Sequence, residues 1–432
     1  MRRAALIAAL IPLTVAAALG DLEGVFSPDI DHPAIQYTTR PVTDPVSQLN
    51  LKIRQGEVHL KFDDSQGYLR SVLEALNVPI ESQMVVFSKT SVQMVRINPS
   101  NPRSLFFNDS VAVGWVRGGP IVELATEDPK QGVIFYTLDE KPTDRPQFTR
   151  NDECLSCHES YSSLGVPGML VRSVFPGPSG APVRKFGDYI TDHRSPFAQR
   201  WGGWYVTGLT GSIPHLGNAV VIDAAKPQAV LTRQSLNLES LRGKFDTDGY
   251  LSPYSDIVAL MVFEHEMHMM NLFTRVGWEV RFSLYQDQTN QSPSNSHDAI
   301  ARLIRDASRE LVDYMLFVDE ALLTSKIQGT SGFAEKFSIE GPGDSKGRSL
   351  RQFDLEHRLM RYRCSYMIYS EAFDGLPDEV KKAIYQRMWQ ILSGREISEK
   401  YARLSLVERK AIVEILRETK KGLPDYFQPV TR

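Results

Sequence analysis

The hydrophobic period of this chain changes near Leu251, and that change constrains what it can fold into. Before it the apolar runs are short: Met84 to Ser88, Ser104 to Phe107, Val111 to Val116, Ile121 to Ala125 and Val133 to Thr137. Turn signals at Asn98 to Pro102, Gly118 to Pro120 and Asp128-Pro129 separate them, which predicts an antiparallel sheet. Further short strands are expected at Leu170 to Phe175, Trp204 to Leu209 and Ala219 to Ile222, with a short helix at Tyr68 to Leu76. Beyond Leu251, five segments have helical length and period: Ile257 to Thr274, His297 to Glu320, Phe353 to Ser370, Asp378 to Leu392 and Leu406 to Thr419. Glu340 to Asp344 is a glycine-proline break between them. Asp21 to Val58, rich in proline and polar residues, reads as an irregular surface arm. The expected class is α+β, with a strand-rich region over 21–250 and a helical region over 251–432.

At the end of the strand-rich run stands Asn151-Asp-Glu-Cys-Leu-Ser-Cys-His158, a single C-x-x-C-H. This spacing is the attachment signature of a c-type haem. Cys154 and Cys157 would each add to a vinyl group, and His158 would bind the iron as proximal ligand. A disulfide would leave His158 unexplained, and a zinc site would need a fourth ligand and usually more cysteines. With 3 cysteines in the chain, haem is the reading that uses both thiols and the histidine. A strand-rich surround also argues against the small all-helical cytochrome c fold.

Covalent haem attachment needs an exported chain, and the amino terminus supplies the signal. Met1-Arg-Arg3, an apolar stretch from Ala4 to Leu19 and small residues at Ala18 and Gly20 predict a secretory signal over 1–20. The expected location is therefore periplasmic or otherwise exported, with no stable membrane span after signal removal. A net charge of -3 and 42% hydrophobic residues favour neither nucleic acid nor an anionic membrane. Length says more. A small electron carrier needs only about one hundred residues, so most of these 432 residues do something besides wrapping one haem.

The segment Ile257 to Phe273 is almost wholly apolar except for Glu264, His265, Glu266, His268 and Asn271. Glu264 and His268 are four apart and His268 and Asn271 three apart, with Arg275 continuing the stripe, so they share a helix face. Polar groups on so apolar a helix need partners if buried. Either they form an ion-pair network, or His268 or His265 serves as the distal ligand of the haem, His268 preferred because Glu264 can fix its ring. A separate metal bound by Glu264, His265 and His268 is a third option. Met169 is another distal candidate, as are the loop residues His193 and His215. Cys364 reads as a buried free thiol. In Arg200-Trp-Gly-Gly-Trp-Tyr205 the tryptophans suit a porphyrin edge, and Arg200 or Arg194 suits a propionate.

The strings at 101–109, 152–158, 200–208 and 347–355 are similar to the exported bacterial family of cytochrome c domain-containing proteins, a likeness spanning nearly all of the mature chain. The resemblance implies one covalent haem c and electron transfer, carried on Cys154, Cys157 and His158. It supplies no sixth ligand and no substrate. Two functions then compete: an electron-transfer protein that docks a redox partner protein, and a haem enzyme or sensor with an open iron position for peroxide or a small gas.

Overall fold

A computed structural model of the protein describes residues 26, 28–223, 225, 236–289 and 296–430. The expected signal segment, 1–20, lies outside them. The strand-rich half forms a seven-stranded antiparallel sheet in the order β6-β5-β4-β3-β2-β1-β9. Its strands are β1 (Met84–Val86), β2 (Arg103–Asn108), β3 (Val111–Val116), β4 (Ile121–Asp128), β5 (Gly132–Asp139), β6 (Thr149–Arg150) and β9 (Trp204–Tyr205). A separate two-stranded ribbon pairs β7 (Val171–Val174) with β8 (Asp188–Thr191).

Both faces of the large sheet are covered, which is why its strands read as continuous apolar runs and not as alternation. One face presents Phe106, Val113, Trp115, Leu124, Ile134 and Tyr136 to an amino-terminal layer. That layer holds α1 (Pro45–Gln55) and α2 (Leu69–Ala75). The opposite face presents Leu105, Phe107, Ala112, Val133 and Phe135 to the helical half, in one core shared by the two regions. Each large apolar side chain so buried contributes about 1.5–3 kcal/mol.

The helices of that half are α4 (Ile257–Gln288), α5 (Ser296–Met315), α6 (Phe333–Ile339), α7 (Glu371–Asp374), α8 (Asp378–Leu392) and α9 (Leu406–Thr419); the short α3 (Leu155–His158) belongs to the C-x-x-C-H motif. Asp256 caps α4 by accepting the N–H groups of Val258 and Ala259. With 32 residues, α4 is about 48 Å long. Its first half is buried between the sheet and the other helices, so it is apolar around most of its circumference, apart from the stripe that carries Glu264, His265, Glu266, His268 and Asn271.

The α+β class is thus observed, and several local expectations need correction. The expected irregular arm contains α1, whose Asp44 cap and Pro45 at the first turn are a helix start. The segment Phe353 to Ser370 is no helix. It folds back through the Phe353–Met360 bridge and reaches only a short 3-10 turn, Tyr366–Tyr369. The Arg361 N–H bonds the Gln352 carbonyl there, so local fold-back displaces the helical ladder. Ala219 to Ile222 forms no strand: it follows Asn218 in the left-handed region and makes one backbone tie, Val221 N–H to Pro176 O.

Candidate functional site

The C-x-x-C-H turn sits beside the sheet face that packs on α4. Strand β6 delivers the chain to it, and Asn151 fixes the start, its N–H bonded to the Phe135 carbonyl and its side chain accepting from Glu153. A 3-10 turn over Asp152–Cys154 runs into α3. Both thiols are unpaired. Cys157 is exposed and Cys154 is half-buried against the core. Burial, with a contribution from the Glu123 carboxylate, pushes the Cys154 thiol up to about 11.

His158 is held on two sides. Its ring lies 4.8 Å from that of Phe135, and its Nδ1 donates to the Gly168 carbonyl at 2.9 Å. Gly168 returns its own N–H to the His158 carbonyl at 2.9 Å, closing a loop whose Pro167 carbonyl takes the Val133 N–H of β5. Burial lowers the imidazole's affinity for a proton. The ring is therefore neutral, protonated at Nδ1, with the Nε2 lone pair making no hydrogen bond among the described residues. Arg103 and Glu123, ion-paired on the same sheet face, act electrostatically on both Cys154 and His158. Sequence reasoning passed over this pair, although charged residues inside apolar strands were a usable signal.

These residues fit a c-type haem. One short helical turn offers two reduced thiols, and a neutral imidazole follows with its proton already committed to a carbonyl. That is the tautomer an iron ligand requires. Among the described residues no group of three or more His, Cys, Asp or Glu is arranged to hold a metal ion unaided, so the option of a metal on Glu264, His265 and His268 finds no geometry there.

The polar face of α4 is instead a network closed except at His193 Nε2. Glu264 accepts from Thr191 Oγ1 at 2.6 Å and from Arg200 at 2.8 Å, an ion pair with almost no exposure on either side. Burial raises the Glu264 carboxyl to about 7 against the pull of that guanidinium. Arg200 also spans the carbonyls of His193 and Ser195. Arg194 binds Asp192. Both arginines expected at a propionate are thus engaged elsewhere. Trp201 is buried beside Phe197 and His215, and Trp204 donates to the Arg172 carbonyl.

His265 has both ring nitrogens in use. Its Nε2 lies 2.7 Å from Ser365 Oγ, which also accepts the Met367 N–H at 3.2 Å. Its Nδ1 shares a hydrogen bond with His193 Nδ1 at 2.8 Å, and His193 Nε2 is a buried atom without a hydrogen-bond partner. Arg194 donates to His268 Nε2 at 3.1 Å. Burial pushes His265 down to about 3 and His268 and His215 to about 4. The two α4 histidines expected at the iron are therefore gathered by the 191–200 loop, and no hydrogen bond or ring contact joins them to Cys154–His158 among the described residues. Met169 is buried in the core, its backbone held by Asn271. Cys364 is buried, its thiol pushed up to about 12. No helix of the described residues is long and apolar enough to cross a membrane.

No family model matches this chain, and neither a curated protein nor a solved structure matches it.

Proposed function

We propose that this chain is an exported mono-haem c-type cytochrome-like protein that transfers electrons through one covalently bound haem. The observation that carries the reading is the tautomer of His158. Its Nδ1–H is spent on the Gly168 carbonyl, so Nε2 presents a lone pair one helical turn from two unpaired thiols. Cys154 and Cys157 would hold the haem, each S–H adding across one vinyl double bond, the sulfur to carbon and the hydrogen to its neighbour, with no net oxidation. The haem supplies a one-electron ferric/ferrous couple. The chain's own part is to fix the imidazole, to keep it neutral by burial and to present Cys157 at the surface. A separate redox partner protein is the source or acceptor of the electron.

A second reading has support of its own. His265 and His268 have their coordinating nitrogens hydrogen-bonded to other groups, which favours an iron with an open sixth position, acting on peroxide or a small gas. One spectrum separates the two. Protein matured with haem-attachment machinery should cycle reversibly between ferric and ferrous forms and give a low-spin ferric spectrum indifferent to cyanide. A high-spin ferric spectrum with ready cyanide and carbon monoxide binding would transfer the assignment to the second reading. A matured protein lacking haem absorbance would overturn both.

A further inference from the structure

We propose that Asn271, on the buried polar stripe of α4, is the positioning residue for the His158 imidazole and thereby sets how strongly that imidazole binds iron. The inference rests on the haem reading above. The Asn271 side-chain amide clamps one residue of the haem loop from both ends: Met169 N–H donates to Oδ1 at 3.0 Å, and Nδ2 donates to the Met169 carbonyl at 2.7 Å. The neighbouring residue, Gly168, is the one whose carbonyl takes the His158 Nδ1–H. Four atoms of the polypeptide thus separate a rigid, core-buried helix from the hydrogen bond that fixes the ligand ring.

Gly168 itself testifies to the closeness of this contact. A Cβ at that position would stand 2.2 Å from Asn271 Oδ1 and 2.8 Å from its Cγ. Its φ is not in the left-handed region, so the glycine answers to the approach of Asn271 and not to backbone conformation. Asn271 is itself buried, between the core residues Met270 and Leu272. An amide there would be costly if left unsatisfied, and Met169 is the partner that satisfies it. An imidazole whose far N–H is held by a fixed acceptor is oriented and more basic toward its metal. Loosening the acceptor should weaken donation, destabilise ferric iron relative to ferrous, and raise the midpoint potential.

The test uses the full matured protein and scores haem retention in the parent first. Asn271→Leu should shift the ferric/ferrous equilibrium toward ferrous about tenfold, which for one electron is 59 mV. It should also speed hydrogen exchange at His158 Nδ1. Asn271→Asp keeps the acceptor for Met169 N–H and loses the donor, so it should move the potential the same way by less, and it serves if the leucine variant fails to fold. Gly168→Ala should disturb the potential in the parent and do so far less in an Asn271→Ala background, where the clashing atoms are gone. Thr274→Val, three residues along α4 and bonded to Glu127, should lower stability and leave the potential alone. Haem-bearing Asn271 variants with the parent potential and exchange rate would overturn the inference alone. A parent without covalent haem would overturn it together with the reading beneath it.

Discussion

The C-x-x-C-H turn and the polar face of α4 both set histidines against one core, and they are built in opposite ways. At the turn, an exposed thiol, a half-buried thiol and an imidazole with one uncommitted nitrogen leave valences open. On α4, Glu264, His265 and His268 have spent theirs on Thr191, Arg200, His193, Ser365 and Arg194. A buried polar group bonded within the fold specifies packing, whereas an imidazole nitrogen left with a lone pair beside two thiols is open to a ligand. The two regions meet at Asn271, which belongs to α4 by sequence and to the loop after the C-x-x-C-H turn by its bonds.

The largest effect expected from this contrast is at the buried Arg200–Glu264 pair. Arg200→Met leaves Glu264 without its cation and should cost about 3–5 kcal/mol in denaturant unfolding. Arg200→Met joined to Glu264→Leu should recover most of that loss. A single-variant cost below about 1 kcal/mol would mean that the network is not closed in solution.

Next in size is the response to acid, taken one ring at a time. His265, His268 and His215 bind a proton only near pH 3 to 4 in the fold, against about 6.5 in an unfolded chain. Between those values the unfolded state holds more protons, so stability rises with pH there. The contribution is complete above about pH 6.5 and is lost as pH falls toward 4, by up to about 1.4 kcal/mol per pH unit for each ring. Thermal unfolding should show this slope, and His215→Asn, away from the α4 network, should remove one ring's share of it. A flat profile between pH 6.5 and 4.5 would contradict the buried, neutral state of these rings.

The smallest effect belongs to the turn. Asp152 pairs with Arg150 beside the motif with a substantial part of its side chain in water. Asp152→Ala should therefore change unfolding free energy by only about 0–1 kcal/mol. A loss comparable to that at Arg200 would erase the contrast between an open turn and a closed network.

How much of this was legible follows the same division. The strands Val111–Val116 and the helices Asp378–Leu392 and Leu406–Thr419 lie where period and punctuation put them. Their signals are local. Helix α1 was legible too, in Asp44-Pro45, once proline is read as a first-turn residue and not as a breaker. Spacing also placed Glu264, His268 and Asn271 on one stripe. What spacing cannot carry is which distant loop lies across that stripe. The 191–200 loop covers Glu264 and His268, and the 168–169 segment covers Asn271, through contacts 64 to 102 residues away in sequence. Nothing local in the sequence marks Gly168, and its role becomes visible only with Asn271 beside it.

The central claim is that the turn binds haem covalently through Cys154 and Cys157. Protein matured with haem-attachment machinery, denatured and extracted with acidified organic solvent, tests it most directly. Thioether-bound haem should keep its colour on the polypeptide, and a Cys154→Ser/Cys157→Ser double variant should yield any haem it holds to the solvent. Colour leaving the parent chain as readily as it leaves the double variant would contradict the account.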